Sequence, residues 1–440
     1  MPAICSASRL ASVAKARAGE LLRSEDWVSV WLGAVLIILV LVGVRPEAAG
    51  LSCSDGLDGL FGAGSLATTF GVGAALGVLC LIGVRLMEGA VRGFAVAFGA
   101  VFVLAWAARA IACNSTLSER GVSYAITALA LGLFVSNVLG VPGWLRGAIR
   151  TEYYIKTGLV ILGTNVLFGQ VLEAGMYGMV QAAGVIAVIW YLCFWLSRKL
   201  RVDEEFSAMM ATAVSICGVS AAIAACGAIS GDRKKLSYVT SLVLVVAAPM
   251  MILMPLAVDW LDLSDIVGGA WIGGTIDTTG AVVVAGESIG DSATNAATIV
   301  KLSQNALLGV AAFALSVWWT VRGGAGGADN TERPEVSAAV IWERFPKFVL
   351  GFLATSLLFS FVLTDGLVDA TGSLLKGLRT WLFALAFVCI GLETRLRDLL
   401  SMEGGRPAAA FVIAQAANVL WTLLLAWVLF GGAIFGVPDL

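Results

Sequence analysis

The chain has 440 residues, 59% hydrophobic and 13% charged, with a formal net charge of −2 and a mean hydropathy of +0.92. A soluble domain carries roughly 25% charged residues, so the composition describes a polytopic membrane protein, and no basic cluster suggests nucleic acid as a partner. There is no histidine, which removes histidine-ligated metal chemistry, serine–histidine triads and histidine proton relays.

Residues 1–26 are polar and mixed in charge, lack the apolar core and cleavage site of a signal peptide, and read as an N-terminal arm. About twenty apolar residues cross a bilayer. Candidate spans follow at 27–44, 65–84, 91–110, 124–141, 155–171, 176–196, 206–230, 236–256, 266–286, 296–321, 347–363, 380–392 and 408–430. The expected fold is therefore all-α, with about 13 transmembrane helices. Residues 323–342 contain a flexible polar linker. Cys80, Cys193, Cys217, Cys226 and Cys389 sit in apolar runs and read as small buried hydrophobes. Cys53 and Cys113 lie in polar loops on the expected outer side, where an oxidising compartment would join them in a disulfide.

Lys and Arg in short loops set the orientation. The N-terminal arm carries Arg9, Lys15, Arg17 and Arg23 and is placed in the cytoplasm. Alternation then puts Arg85, Arg92, Arg146, Arg150, Arg198, Lys199, Arg201, Arg322, Arg395 and Arg397 inside. Arg233, Lys234 and Lys235 break the pattern if 206–230 spans, and keep it locally if 206–230 is a re-entrant hairpin. Spanning is the preferred expectation, because the downstream loops then sort correctly.

The stretch 211–227 organises the chain. It is long enough, with its flanks, to cross a bilayer, yet small and hydroxyl residues crowd its middle and Gly218 lies beside Ser220. Glycine costs about 1 kcal/mol in a helix, and serine can satisfy freed backbone groups. A break of this kind survives in hydrocarbon only against protein or a polar cavity. A partner break is expected at Cys389–Gly391, since Ile216-Cys217-Gly218 and Val388-Cys389-Ile390-Gly391 occupy matching places once three extra N-terminal helices (27–122) are set aside. Lys156 and Lys301 each lead a Leu-Gly helix in the two halves. The reading is a 5+5 inverted repeat, 123–258 and 266–430, with two crossing discontinuous helices and a transport core around 206–257 and 347–430.

The run Ile216-Cys217-Gly218-Val219-Ser220-Ala221-Ala222-Ile223-Ala224 resembles the "ICGxSAIAA" signature of the bacterial inner-membrane family classed as sulfate exporters. Asn137-Val138-Leu139-Gly140, Gly273-Gly274-Thr275-Ile276, Ala297-Thr298-Ile299-Val300-Lys301-Leu302 and Phe348-Val349-Leu350-Gly351 fall in the family's order. The resemblance covers 124–430. It implies a fold similar to sodium/proton antiporters and bile-acid symporters, with a moving core, a dimerising panel and hence a homodimer. This chain has Asp277 where the family commonly has histidine, and Gln304 where it often has arginine.

Broken-helix N-termini suit an oxyanion, because their free N–H groups and dipoles favour negative charge. The expected anion-binding residues are Cys217, Gly218, Ser220, Ala221, Gly391, Thr394, Asn137 and Asn305. Lys301, Asp277 and Lys156 are the intramembrane charges expected to balance the substrate or to carry a coupling H+ or Na+. No cofactor or metal is expected. The chain has no Walker lysine loop, no Asp-Asp pair inside a span and no nucleophile–base pair, so an enzyme is not expected. The sequence reads as a secondary transporter of a small anion: sulfate, sulfite, or a related sulfonate or carboxylate. Its rivals are a cation/proton antiporter using Asp277 and Lys301, and a non-transporting receptor or scaffold.

Overall fold

The computed structural model describes residues 23–45, 63–88, 92–114, 123–323, 339–394, 405–432, 436–438 and 440, and every regular element among them is a helix. Helix α1 is Glu25–Leu41, α2 Ala63–Glu88, α3 Phe94–Ala112 and α4 Tyr124–Phe134, which continues through a π turn at Val135–Leu139. Next come α5 at Thr151–Leu162, α6 at Phe168–Val185, a π turn at Ile186–Trp190 and α7 at Tyr191–Lys199. The middle of the chain forms α8 (Glu204–Ser215), α9 (Gly218–Ala228), α10 (Arg233–Trp260), α11 (Asp265–Thr275) and α12 (Thr279–Ile289). It continues with α13 (Asp291–Ala306), α14 (Leu308–Gly323) and the short α15 (Ala339–Arg344). The last helices are α16 (Phe348–Leu357, ending in a π turn at Leu358–Val362), α17 (Asp365–Glu393) and α18 (Arg406–Phe430). Each apolar stretch read from the sequence is thus a helix or a pair of helices. Among the described residues, seven helices are long and apolar enough to cross a bilayer.

The chain divides into two units. The first comprises Met1–Phe168 and Lys347–Glu393, the second Gly169–Pro346 and Thr394–Leu440. The expected core joined 206–257 to 347–430, but the chain divides otherwise: 347–393 belongs with the N-terminal helices.

In the first unit small residues bring helices close. A Cβ on Gly391 would stand 2.5 Å from Leu129 O and 2.7 Å from Gly132 Cα. The Thr355 hydroxyl of α16 donates to Val160 O on α5 at 2.7 Å. The expected break at Gly391 is absent, because α17 runs unbroken from Asp365 to Glu393. Its glycine lets two helix backbones touch, the usual use of small residues in helix association. The Lys156 ammonium pairs with Glu25 at 2.7 Å and Asp26 at 2.9 Å, fastening α5 to the start of α1.

The second unit contains two helical hairpins. A straight helix from Glu204 to Ala228 would be about 37 Å long. Instead the Glu205 carboxylate accepts the backbone N–H of Asp232, and Lys235 bridges Asp203 and Glu205 at 2.8 Å each. Both ends of α8–α9 therefore lie together, and 206–230 turns back rather than spanning. Asp203 starts the hairpin by capping Phe206 N at 3.0 Å.

α11 and α12 repeat the design, so 266–286 is not a span either. A Cβ on Gly290 would sit 3.5 Å from Asp265 Oδ2, and Gly269 and Gly286 meet the adjacent residues Ala293 and Thr294 of α13. The second discontinuous helix is this one, interrupted at Ile276–Thr278.

Of the expected disulfide, Cys113 is disulfide-bonded, and Cys53 lies outside the described residues. Most of the linker 323–342 also lies outside them, and its end forms α15.

Candidate functional site

The two hairpin tips meet. The first tip is Ile216-Cys217, where φ/ψ leave the helical region (−130°, −86° at Ile216; −145°, 77° at Cys217) before α9 begins at Gly218. The second is Ile276-Asp277-Thr278, extended at Ile276 and Thr278. A Cβ on Gly218 would lie 3.2 Å from Asp277 Cβ and would collide with Val243 of α10. Glycine is thus favoured at Gly218 chiefly by the close approach of Val243 on α10, with the other tip at Asp277 also near. Cys217 Sγ lies 3.9 Å from Thr279 Oγ1, and Asn305 Nδ2 donates to the same hydroxyl at 3.2 Å.

A helix that ends at a tip leaves its last carbonyls without intrahelical donors. Here three side chains supply them, and each takes one carbonyl from each hairpin. Lys301 Nζ donates to Ile216 O at 2.6 Å and to Ile276 O at 2.9 Å. Gln304 Nε2 donates to Ser215 O at 2.9 Å and Gly274 O at 3.5 Å. Asn418 Nδ2 donates to Val214 O at 3.4 Å and Thr275 O at 3.3 Å. Gln415 adds a bond to Thr275 O at 2.9 Å. The third proton of Lys301 goes to Gln304 Oε1 at 2.8 Å, so all three ammonium donors are used. The cation is 1% exposed and sits among oxygens of both tips, the environment a bare monovalent cation would need.

The complementary ends carry different chemistry. α9 and α12 both start at the tips, so their first-turn N–H groups and positive dipole ends face the crossing. Ser220, in the first turn of α9, is exposed, whereas Ala221 is fully buried. Asp277 is 2% exposed and its Oδ2 has no hydrogen-bond partner; Asn305, 4% exposed, leaves its Oδ1 bare as well.

The structure thus brings together Cys217, Gly218, Ser220, Ala221, Asp277, Lys301 and Asn305. Gly391, Asn137 and Lys156 belong to the other unit. Asn137 donates there to Leu133 O at 2.9 Å, and Thr394 stands one residue beyond the end of α17. Sequence reasoning missed Gln304, Gln415 and Asn418 as site residues. Gln304 lies one turn after Lys301, and Gln415, Asn418 and Thr422 form a polar stripe at helical spacing on apolar α18. That stripe was a readable signal.

The family model Conserved hypothetical protein 698 matches residues 97–410. The chain belongs to this conserved membrane-protein family. A UPF0324 membrane protein of Rhodopirellula baltica is 41% identical over 349 residues, covering 77% of this chain and 63% of the relative. One from Nitratidesulfovibrio vulgaris is 38% identical over 369 residues, covering 81% and 63%. One from Nitrosomonas europaea is 26% identical over 458 residues, covering 89% and 92%. The chain therefore spans under two thirds of the length of the first two. No solved structure matches. The part of the chain matched to the Conserved hypothetical protein 698 family holds both hairpins, Lys301 and Gln304, and ends before Gln415 and Asn418.

Proposed function

We propose that this chain is a secondary transporter of a small anion, working by alternating access at the two hairpin tips. The observation that carries the reading is the Lys301 ammonium, which holds one carbonyl of each tip. A buried ionisable group in a membrane protein is a functional-site hypothesis by default. Lys301 supplies a fixed positive charge where the positive ends of α9 and α12 converge. The anion is met by first-turn N–H groups and the Ser220 hydroxyl. Sulfate, sulfite, and related sulfonates or carboxylates fit this chemistry. The bare Asp277 Oδ2 favours a second reading, cation/proton antiport, because an unpaired carboxylate oxygen calls for a proton or cation rather than an anion.

The proposed setting is the inner membrane, with the N-terminus cytoplasmic and, following the family resemblance, a homodimer. Turning both hairpins back removes two crossings, so about eleven remain and the downstream loops keep their sides. Arg233, Lys234 and Lys235 then join Arg198, Lys199 and Arg201 in the cytoplasm, as the positive-inside rule asks.

Proteoliposomes test both readings. Uptake of labelled sulfate or sulfite, unaffected by sodium and weakened by Ser220→Ala, is the expected result. Sodium-driven proton movement without anion dependence would replace anion transport by antiport. A thermal-shift screen of anions at two pH values narrows the substrate, since a ligand of the native state raises its apparent stability.

A further inference from the structure

The first unit holds another buried cation that the hairpin chemistry does not use. Arg109, in the last turn of α3, is 8% exposed, and none of the ion pairs among the described residues involves it. Its guanidinium lies over the ring of Trp381 on α17, with Cζ 4.3 Å from the ring centroid. Arg109 Nη1 is buried without a hydrogen-bond acceptor, and so is the indole Nε1–H of the fully buried Trp381. Phe102 stacks on the same indole at 4.8 Å and fixes its plane. Arg379, two residues before Trp381, is a second guanidinium in the same stretch of α17, 2% exposed.

A buried guanidinium normally faces a carboxylate or phosphate, whose two oxygens match its fork of N–H donors. The ring face and the C-terminal dipole of α3 attract the charge of Arg109. Neither accepts a hydrogen bond from the guanidinium edge. Among the described residues no carboxylate forms an ion pair with Arg109.

We propose that Arg109 Nη1–H and Trp381 Nε1–H form the donor end of an oxyanion site that takes a phosphate-type group. The indole covers one face of the guanidinium, which leaves its edge as the donor side for a ligand. Two sources share this chemistry. One is the phosphodiester of a phospholipid headgroup, which suits a position one turn from the end of an apolar helix. The other is a free inorganic oxyanion.

Two variants of the full chain, purified in detergent, test the site. Trp381→Phe removes the N–H donor and keeps a ring for stacking; Arg109→Met removes the charge and keeps an apolar stem. One arm measures retention of phosphatidylglycerol by native mass spectrometry. The other measures the shift in unfolding temperature with inorganic phosphate after delipidation. The wild-type chain is expected to bind one of these probes saturably, with affinity lowered at least tenfold in Arg109→Met and several-fold in Trp381→Phe. Lipid retention without a phosphate shift assigns the site to a headgroup, and the reverse assigns it to a free anion. The proposal is overturned if the wild-type chain binds neither probe, or if either variant binds as the wild type does. Should Arg109→Met not fold, Trp381→Phe decides.

Discussion

The Glu205 carboxylate accepts the backbone N–H of Asp232, 27 residues further along the chain. With the Lys235 bonds to Asp203 and Glu205, this hydrogen bond closes the ends of a segment whose length and hydropathy suit a span. A topology experiment follows. Single cysteines placed at Lys199 and Lys234 in a cysteine-free chain should be modified by an impermeant maleimide from the same side, and one at Asp262 from the opposite side. Labelling of Lys199 and Lys234 positions from opposite sides would mean that α8–α9 crosses the bilayer.

Lys301 is the second point at which the fold and the site coincide. Lys301→Met leaves Ile216 O, Ile276 O and Gln304 Oε1 without their donor. A buried acceptor left unmade costs about 1–3 kcal/mol, and removing the buried charge relieves part of that loss. The expected net destabilisation is about 2–4 kcal/mol, together with loss of anion-dependent stabilisation. Denaturant unfolding in detergent reads the first, and ligand thermal shifts the second. A variant as stable as the wild type would show that the tips hold together without the ammonium.

Gly218→Ala tests how tightly the tips meet. Its new methyl collides with Val243 and lies 3.2 Å from Asp277 Cβ. Overpacking of this kind typically costs about 1–3 kcal/mol. The double variant Gly218→Ala/Val243→Ala opens the space and should recover most of the stability, while transport recovers only if the Asp277 side still fits. Equal damage in the single and double variants would mean that the collision with Val243 is not the cause.

Four glycines show how far the sequence carried the structure. At Gly218 the break was legible, because small residues, a neighbouring serine and a long apolar run coincide. At Gly391 the same signal misled: glycine serves unwinding and close packing equally well, and the difference lay in Gly132, 259 residues away in the chain. At Gly273 and Gly274 the glycines preceded the true second break, but Asp277 was read as a charge within a span. The hairpin ends could not be settled from residues alone, since spanning and turning back differ by contacts at Glu205 and Asp265 that leave no local pattern. The alternation of charged loops hid the error, because two hairpins in succession restore the parity that one would have broken. The polar stripe of α18 was readable, yet its partners are backbone carbonyls, which have no sequence signature.

Gly391→Ala separates packing from binding. Its methyl would press on Leu129 O and the Gly132 backbone, and backbone yields less than a side chain. A loss of about 1–3 kcal/mol is expected, with anion affinity unchanged in the protein that remains folded. A drop in affinity at unchanged stability would restore Gly391 to the site.

The base of the first hairpin has its own pH response. Burial alone would raise the Asp203 carboxyl, but hydrogen bonds from Lys235 and from Phe206 N, with the charge of Lys235, outweigh it and hold it below its ordinary value. Glu204, Glu205 and Asp232 are further acidic groups at this base. A carboxylate lowered in the folded state stabilises fully above its unfolded pKa, about 3.9. That contribution is lost as pH falls through the lower folded value. Amide hydrogen exchange in 203–207 should therefore accelerate, beyond its intrinsic pH dependence, as pH falls below about 4. Asp203→Asn still caps α8, because asparagine is as good an N-cap, but it cannot titrate. The variant should show a flatter response at lower protection. An unchanged acid response in Asp203→Asn would move its origin to another carboxylate.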